Sequence, residues 1–330
     1  LTGRGNYGRY YGRAVRLVKD KQEEVVEPAY VAKPFTVAEG KRITFSGGNL
    51  QYTQSTQAWA FAEHQYDMLG TDNVDGSTLA DKIDLFGWSG STGSAKWGIS
   101  TSTDYNDYSG DFVDWGTNTI GTDAPDTWRT LTKEEWYYLR YSRANADDLV
   151  GVARIDLNAD GSKYVNGLIL LPDNWTCPAG VTFKSGLASE NSVQAYADYQ
   201  TFTLSDWQQL EAAGAVFLPA SGYRGGSNVR QVQSHGGYWS ATPFDSDNAL
   251  FLYFYSDGAN IGRNTRDFKP AVRLVKDYSG VNTGIVNPSA TNTEVRKIIR
   301  NGQVLIKRGG KTYTLTGVEV KSVAKPHTLN

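Results

Sequence analysis

Residues 238–276 read YWSATPFDSDNALFLYFYSDGANIGRNTRDFKPAVRLVK, and the alternation within them decides what kind of sheet the chain builds. In residues 249–256, ALFLYFYS, every second side chain of a strand points the same way. Leu250, Leu252 and Phe254 then share one face, and Phe251, Tyr253 and Tyr255 share the other. Leu and Phe suit a core. The second face is an aromatic ladder, bordered by Phe244, Asp245, Ser246, Asp247, Asp257, Asn260, Arg263, Asn264, Asp267 and Phe268. Two arrangements accommodate it: a ladder sealed beneath the long loops of residues 70–127, or a ladder facing water as a contact surface. Tyr and Phe offer large, rigid contact area at low entropic cost, as in antibody-like paratopes. Arg224 and Arg230 fit either arrangement.

Immediately downstream, AVRLVKD at residues 271–277 repeats residues 14–20 letter for letter. In the same register Gly5 matches Gly262 and Arg9 matches Arg266, while Asn6-Tyr7-Gly8 stands against Arg263-Asn264-Thr265 and Tyr10-Tyr11 against Asp267-Phe268. A fixed strand preceded by a scrambled segment is thus present twice. Residues 1–20 read as the terminal strand segment of an upstream repeat copy; a strand that pairs with the main domain is the other reading. Residues 21–34, opening on KQEEVVEP, read as a linker. The main domain is expected over residues 35–278. A Ser/Thr/Asn/Gly-rich linker covers residues 279–294, and a small β module covers residues 295–330. Asn301-Gly302 and Gly309-Gly310 there are the turns of three short strands.

Within the main domain, KRITFSGGNLQYT at residues 41–53 alternates like a strand broken at Gly47-Gly48. Thr132-Lys133-Glu134-Glu135 and Ser205-Asp206-Trp207-Gln208 are capping signals for two short helices, the second ending at Gly214. Asp160-Gly161 marks a hairpin turn. Residues 70–127, rich in Gly, Ser, Thr and Asp, carry Trp88, Trp97 and Trp115 and read as long ordered loops pinned by buried indoles. The fold class is α+β: two short helices, small antiparallel sheets and long loops.

Composition narrows the function classes. The 330 residues carry 33 Lys and Arg against 35 Asp and Glu, a net charge of -2, which argues against a nucleic-acid binder. With 9 Trp, 20 Tyr, 12 Phe and 35 Gly against one Met, the chain favours β-rich structure over a helical bundle. No apolar run reaches the roughly 18 residues of a membrane span, so membrane insertion is not expected. Cys177 is the single cysteine, which excludes an internal disulfide. His64, His235 and His327 lack ligand spacing, and no nucleophile elbow or phosphate-binding loop occurs. Residues 156–161, DLNADG, begin like a calcium loop, but the twelfth position is Gly167 where a bidentate carboxylate is needed. No catalytic residue, metal or cofactor is therefore expected.

Gly237-Tyr238-Trp239-Ser240-Ala241-Thr242, followed about thirty residues later by the Val-Arg-Leu-Val strand, resembles the Fibrobacter succinogenes major paralogous domain and its relatives in gut Bacteroidales. FSGGNLQY, DLFGW, WRTLTKEEW, LPDNW and GAVFLPASGYR extend the resemblance from about Phe35 to Asp277. It implies a C-type-lectin-like fold, distantly related to formylglycine-generating enzymes. Some members are diversified by retroelements between the Tyr-Trp-Ser motif and the final strand. The resemblance thus implies a ligand-binding face at Phe244, Asp247, Phe251, Tyr253, Tyr255, Asp257, Asn260, Arg263, Asp267 and Phe268. The tail at residues 295–321 is similar to sorting tails of exported Bacteroidales proteins, implying the cell surface or secretion. The signature of calcium-dependent sugar-binding lectins is absent, Leu171-Pro172-Asp173-Asn174 not matching it.

The expectation is a non-enzymatic binding protein whose partner is a protein or glycan on another cell or on a phage or host surface. One alternative is an enzyme of the formylglycine-generating superfamily, disfavoured by the single cysteine; His235 with nearby Asp residues would be its chemistry. Another is a structural or pilus-like subunit that exchanges the duplicated strand.

Overall fold

The SGGN break at residues 46–49 separates two strands that enter different sheets. The computed structural model describes residues 33–278 and the strands at residues 296–300, 303–308 and 311–314. The expected upstream segment at residues 1–20, nearly all of the first linker and the second linker lie outside the described residues. Lys41–Phe45 joins a four-stranded sheet ordered Phe35–Ala38, Lys41–Phe45, Leu274–Asp277, Arg129–Thr130. Leu50–Thr53 instead pairs with Ala58–Phe61 and Lys82–Ile83. Between them, a Cβ on Gly48 would lie 2.4 Å from the Ala62 carbonyl oxygen, an approach only glycine permits.

The second copy of the duplicated sequence is an interior strand. Val275 stands opposite Phe45 on one side and Arg129 on the other. Ala271, Val272, Leu274 and Val275 are all fully buried. Arg273 between them points inward and donates to Asn49 Oδ1 at 3.0 Å and to the carbonyls of Ser46 at 3.1 Å and Phe217 at 2.6 Å.

A second four-stranded sheet runs Thr201–Thr203, Val150–Asp156, Tyr164–Leu170, Val216–Pro219. The apolar run at residues 168–171 fills its interior. Its central hairpin closes through a seven-residue loop at residues 157–163, not through a two-residue Asp160-Gly161 turn. The loop is long because its side chains satisfy its own backbone. Asp156 accepts from the N–H groups of Asn158 and Gly161, Asp160 accepts from Ser162, and Asn158 accepts from Lys163. Those bonds occupy the carboxylates that the calcium-like sequence would have offered.

Both expected helices form, and the caps differ in detail. Thr132 and Glu135 make the anticipated capping box for Lys133–Tyr137, which continues into a π-helical turn at Tyr138–Ser142. The second helix, Leu204–Ala212, is capped by Thr203 with Asp206 reciprocating, not by Ser205. The strand Thr201–Thr203 runs straight into it, so Thr203 still has the extended backbone an N-cap requires. A third helix, Val193–Tyr199 capped by Ser192, was not anticipated. Its seven residues are too few for helical periodicity to register.

Residues 70–127 contain only two-residue strands and single 3-10 turns. Trp88 and Trp115 are fully buried, and their indoles donate to the carbonyls of Ser240 and Trp97. Trp97 itself is half-buried with φ +60°. The indole anchors thus replace regular secondary structure as the source of order.

The chain divides into two units at Tyr278/Ser279. The second contains an antiparallel meander, Arg296–Arg300, Gln303–Arg308 and Lys311–Thr314. Opposition of Arg300 to Gln303 and of Arg308 to Lys311 leaves two residues at each connection, as Asn301-Gly302 and Gly309-Gly310 require. Among the described residues no helix is long and apolar enough to cross a membrane. The architecture is α+β, built mostly of small antiparallel sheets.

Candidate functional site

The ladder lies on the middle strand of a three-stranded antiparallel sheet, Gly236–Pro243, Asn248–Tyr255, Gly258–Thr265. On one face Tyr238, Leu252 and Phe254 are buried in the main core, with Tyr238 and Phe254 stacked at 6.4 Å. Gly236 makes room for Phe254, since a Cβ there would come within 2.0 Å of the ring. Leu250, expected in this core, is only half-buried because it sits at the strand's outer end opposite Arg263.

The other face corrects the expectation for Phe251. Its ring is 4% exposed, wedged against Trp239 at 5.7 Å and Phe268 at 5.4 Å, within a cluster that includes Trp88, Trp115 and Leu274. The loop residues Phe86 and Phe112 belong to that cluster, and the Trp239 indole donates to the Phe86 carbonyl at 2.8 Å. Trp239, Phe268 and Tyr253 therefore enclose the first rung, and Trp239 ties it to the loops through the Phe86 carbonyl. Tyr253 and Tyr255 stay half-exposed.

Those two rings rest on an aromatic bed. His235 is 3% exposed and lies 6.5 Å from Tyr253, nearly parallel to it, and 5.0 Å from Tyr255. Tyr223 and Phe268 pack together at 4.5 Å and flank the imidazole at 5.7 Å and 6.2 Å. The Tyr255 hydroxyl donates to Gln231 Oε1 at 3.4 Å. Gln231 and Gln233 both hold positive φ without being glycine, so the turn before His235 stores backbone strain. Tyr223, Gln231 and a structural role for His235 were missed from the sequence, because they reach the site through a hairpin and a turn that no periodicity marks.

Burial pushes the His235 imidazole down to about 4, so it is neutral at pH 7. Its Nδ1 has no hydrogen-bond partner. Among the described residues no carboxylate pairs with the ring, so the acid–base arrangement with neighbouring Asp residues does not form. Protonation is available to the unfolded chain below about pH 6.5 but resisted in the fold, so stability present above pH 6.5 is lost as pH falls towards 4. Replacement by Phe, His235→Phe, should flatten this dependence. The difference in unfolding free energy between the variant and the parent should change by on the order of 3 kcal/mol across that interval in equilibrium denaturation. Parallel pH profiles would contradict this.

The remaining sequence-named residues divide between the two faces. Phe268 and Asn260 stand on the Tyr253 side, and Asn260 Oδ1 accepts from the Tyr141 hydroxyl at 2.7 Å. Asp257 is exposed beyond Tyr255 in the tight connection to the edge strand. Arg263 stands opposite Leu250, hence on the other face, and stacks on Phe244, which is 48% exposed, at 4.3 Å. Asp247 is half-buried at the far hairpin, where its carbonyl accepts from the Arg266 amide. Asp267 is half-buried and offers its carbonyl to Lys269. The ten residues thus divide into the buried Phe251, a Tyr253/Tyr255 face with Asn260 and Phe268, a separate Phe244/Arg263 pair, Asp247 and Asp257 at the two hairpin ends, and Asp267 beyond the last strand.

Three buried cations fix this surface to the loops. Arg266 donates to the carbonyls of Gly110 and Asp245 and lies 4.2 Å over the Trp88 ring. Arg224 donates to Ser100, Gly226 and Leu85 carbonyls, and Lys269 to those of Ser102 and Asp267. Among the described residues none of the three is ion-paired. Burial lowers Lys269 to about 7 and Arg224 to about 10. A separate groove of about 710 Å3, lined among others by His64, Asp67, Tyr164 and Gln233, contains none of the ten residues. Among the described residues no cluster of three or more His, Cys, Asp or Glu side chains is placed to hold a metal.

A family model described as a domain of unknown function (DUF8237) matches residues 197–275. That stretch spans the whole three-stranded sheet, the Tyr223 hairpin and the three buried cations. No curated protein and no solved structure matches the chain.

Proposed function

We propose that this chain is a non-enzymatic binding protein, exposed at the cell surface or secreted, with a C-type-lectin-like domain at residues 35–278. Its recognition face consists of Tyr253 and Tyr255, supported by His235, Tyr223 and Phe268 and edged by Asn260 and Asp257. The observation that carries the reading is the half-exposure of two tyrosines packed on the buried, neutral His235 and its half-buried neighbours Tyr223 and Phe268. Such rings offer apolar contact with a hydroxyl at the rim, and few rotamers remain to be frozen on binding.

The internal duplication supports the same reading. Apart from the exposed Lys276 and Asp277, letters shared by its two copies fall on framework positions. These are Gly262 beneath the Tyr253 ring, Arg266 on its carbonyls, and the buried residues 271–275. Letters that differ include Asn260, Arg263, Asn264, Asp267 and Phe268, which are exposed or half-buried. Ala259, Lys269 and Pro270 differ as well although buried. A frame held constant beneath changing surface residues is what a binding domain with variable contacts needs.

The test exposes the protein to an oligosaccharide array and to a library of linear peptides. At least one probe is expected to be retained, and the Tyr253→Ala/Tyr255→Ala variant should lose it, each ring contributing ~2 kcal/mol or more. Retention undiminished in that variant would overturn the assignment.

A further inference from the structure

We infer that the outer edge of the Gly258–Thr265 strand docks an extended segment of a partner polypeptide, which adds to the sheet as a fourth strand. The inference builds on the recognition face and names the class of its partner.

Among the described residues, strand order leaves Gly258–Thr265 with a neighbour on one side only. The hydrogen-bonding phase fixes which of its residues face outward. Trp239 donates to the Ala271 carbonyl and Ala271 to the Gly237 carbonyl, so Gly237 and Trp239 turn their backbone away from Asn248–Tyr255. Alternation across the registered pairs then directs Phe251 and Tyr253 towards Gly262 and Asn260. Ala259, Ile261, Arg263 and Thr265 must present their N–H and C=O groups to the open side.

The two ends of that row are already occupied. The Ala259 carbonyl accepts from the Tyr141 hydroxyl at 2.9 Å. Thr265 donates to Asn264 Oδ1, and its carbonyl accepts from the Phe268 amide. Between these ends, the N–H and C=O of Ile261 and Arg263 have no partner among the described residues. An unprotected row of this kind is a template for pairing, and proteins ordinarily cover it. Here the described residues cover both ends and leave the middle free.

What lies above the free stretch gives it a side-chain pocket. A Cβ at Gly262 would meet Tyr253 Cε1 at 2.6 Å, so the Tyr253 ring lies over the strand, towards its open edge. A residue of an added strand beside Gly262 would set its side chain against that ring. Backbone pairing then supplies affinity, and the ring selects an aromatic or long apolar side chain. Donors and acceptors alternating at strand spacing match a polypeptide backbone, not the hydroxyls of a sugar. Self-association fits less well. A second copy paired antiparallel about Gly262 would set Ala259 against Thr265, whose groups are already engaged. The open stretch, residues 260–264, spans about 17 Å, the length of a short extended peptide.

The test uses the full chain and a library of linear peptides. Arg263→Pro removes an outward N–H from an exposed edge position without touching the ladder, whereas Arg263→Ala removes only the side chain. Arg263→Ala sets the share of binding carried by the side chain, and peptides retained by the parent should bind Arg263→Pro at least tenfold more weakly than Arg263→Ala. On peptide binding, the amides of Ile261 and Arg263 in the parent should slow in hydrogen exchange by at least tenfold. This second readout stands even if the proline variant fails to fold. Four results would overturn the inference: retention of oligosaccharides but no peptides, equal retention by both variants, no change at the two amides, or a concentration-dependent dimer that Arg263→Pro dissociates. If peptides survive Arg263→Pro but are lost by Tyr253→Ala/Tyr255→Ala, the edge is excluded while the aromatic face stands. If the reverse holds, the face is excluded while the edge stands.

Discussion

Phe251→Ala should lower the unfolding free energy of the domain by about 3–5 kcal/mol, the range for truncating a buried phenylalanine. The ring is enclosed by Trp239, Phe268 and Tyr253, at centroid distances of 5.7, 5.4 and 5.6 Å. Those neighbours are tied in turn. Trp239 donates its indole N–H to Phe86, and Phe268 lies between the buried Arg266 and Lys269. The cavity therefore cannot close by a simple shift, and the cost belongs in the upper part of the range. For a domain of this size the loss amounts to a fall in melting temperature of roughly 10 °C. Thermal unfolding followed by near-ultraviolet circular dichroism reads it directly. A drop of only a degree or two would mean that Phe251 is not enclosed.

A comparable loss is expected from Arg273→Ala, about 3–5 kcal/mol in equilibrium denaturation. The guanidinium binds Asn49 Oδ1 and the carbonyls of Ser46, Gln65 and Phe217. These acceptors come from three separate segments, residues 46–49, Gln65 and Phe217, so one side chain ties the SGGN break to the second four-stranded sheet. Truncation leaves buried acceptors without donors in a region too tightly packed to hydrate them. Arg273→Lys should recover little, because one ammonium cannot reproduce a planar fork reaching acceptors on several sides. Full recovery by Lys would show that charge alone matters there. Arg273 recurs as Arg16 in the first copy of the duplicated segment, consistent with a framework position.

Much of this was legible from local pattern. Period-two alternation placed Leu252 and Phe254 in the core and Tyr253 and Tyr255 opposite, and the structure keeps both assignments. The Thr132/Glu135 box and the spaced tryptophans of residues 70–127 each carry a local physical signal; the box, Trp88 and Trp115 appear as read, and Trp97 is half-buried. Alternation gives a side chain's direction but not what covers it, which is why Phe251 was placed with the tyrosines. Trp239 and Phe268, which enclose that rung, reach it by tertiary contact alone. His235 escaped as a site residue for the same reason: its neighbours Tyr223 and Phe268 come from two different segments. The Phe244/Arg263 pair, separated from Tyr253 by strand phase, needed the register of the sheet to be known.

The account stands on Tyr253 and Tyr255 serving contact and not core. Thermal unfolding of Tyr253→Ala/Tyr255→Ala beside Phe251→Ala measures this most directly. The double variant should lose clearly less melting temperature than Phe251→Ala, although it has lost two rings where Phe251→Ala has lost one and Tyr253 covers one side of Phe251. A fall as large as that of Phe251→Ala, or larger, would place both tyrosines in the core and contradict the recognition face.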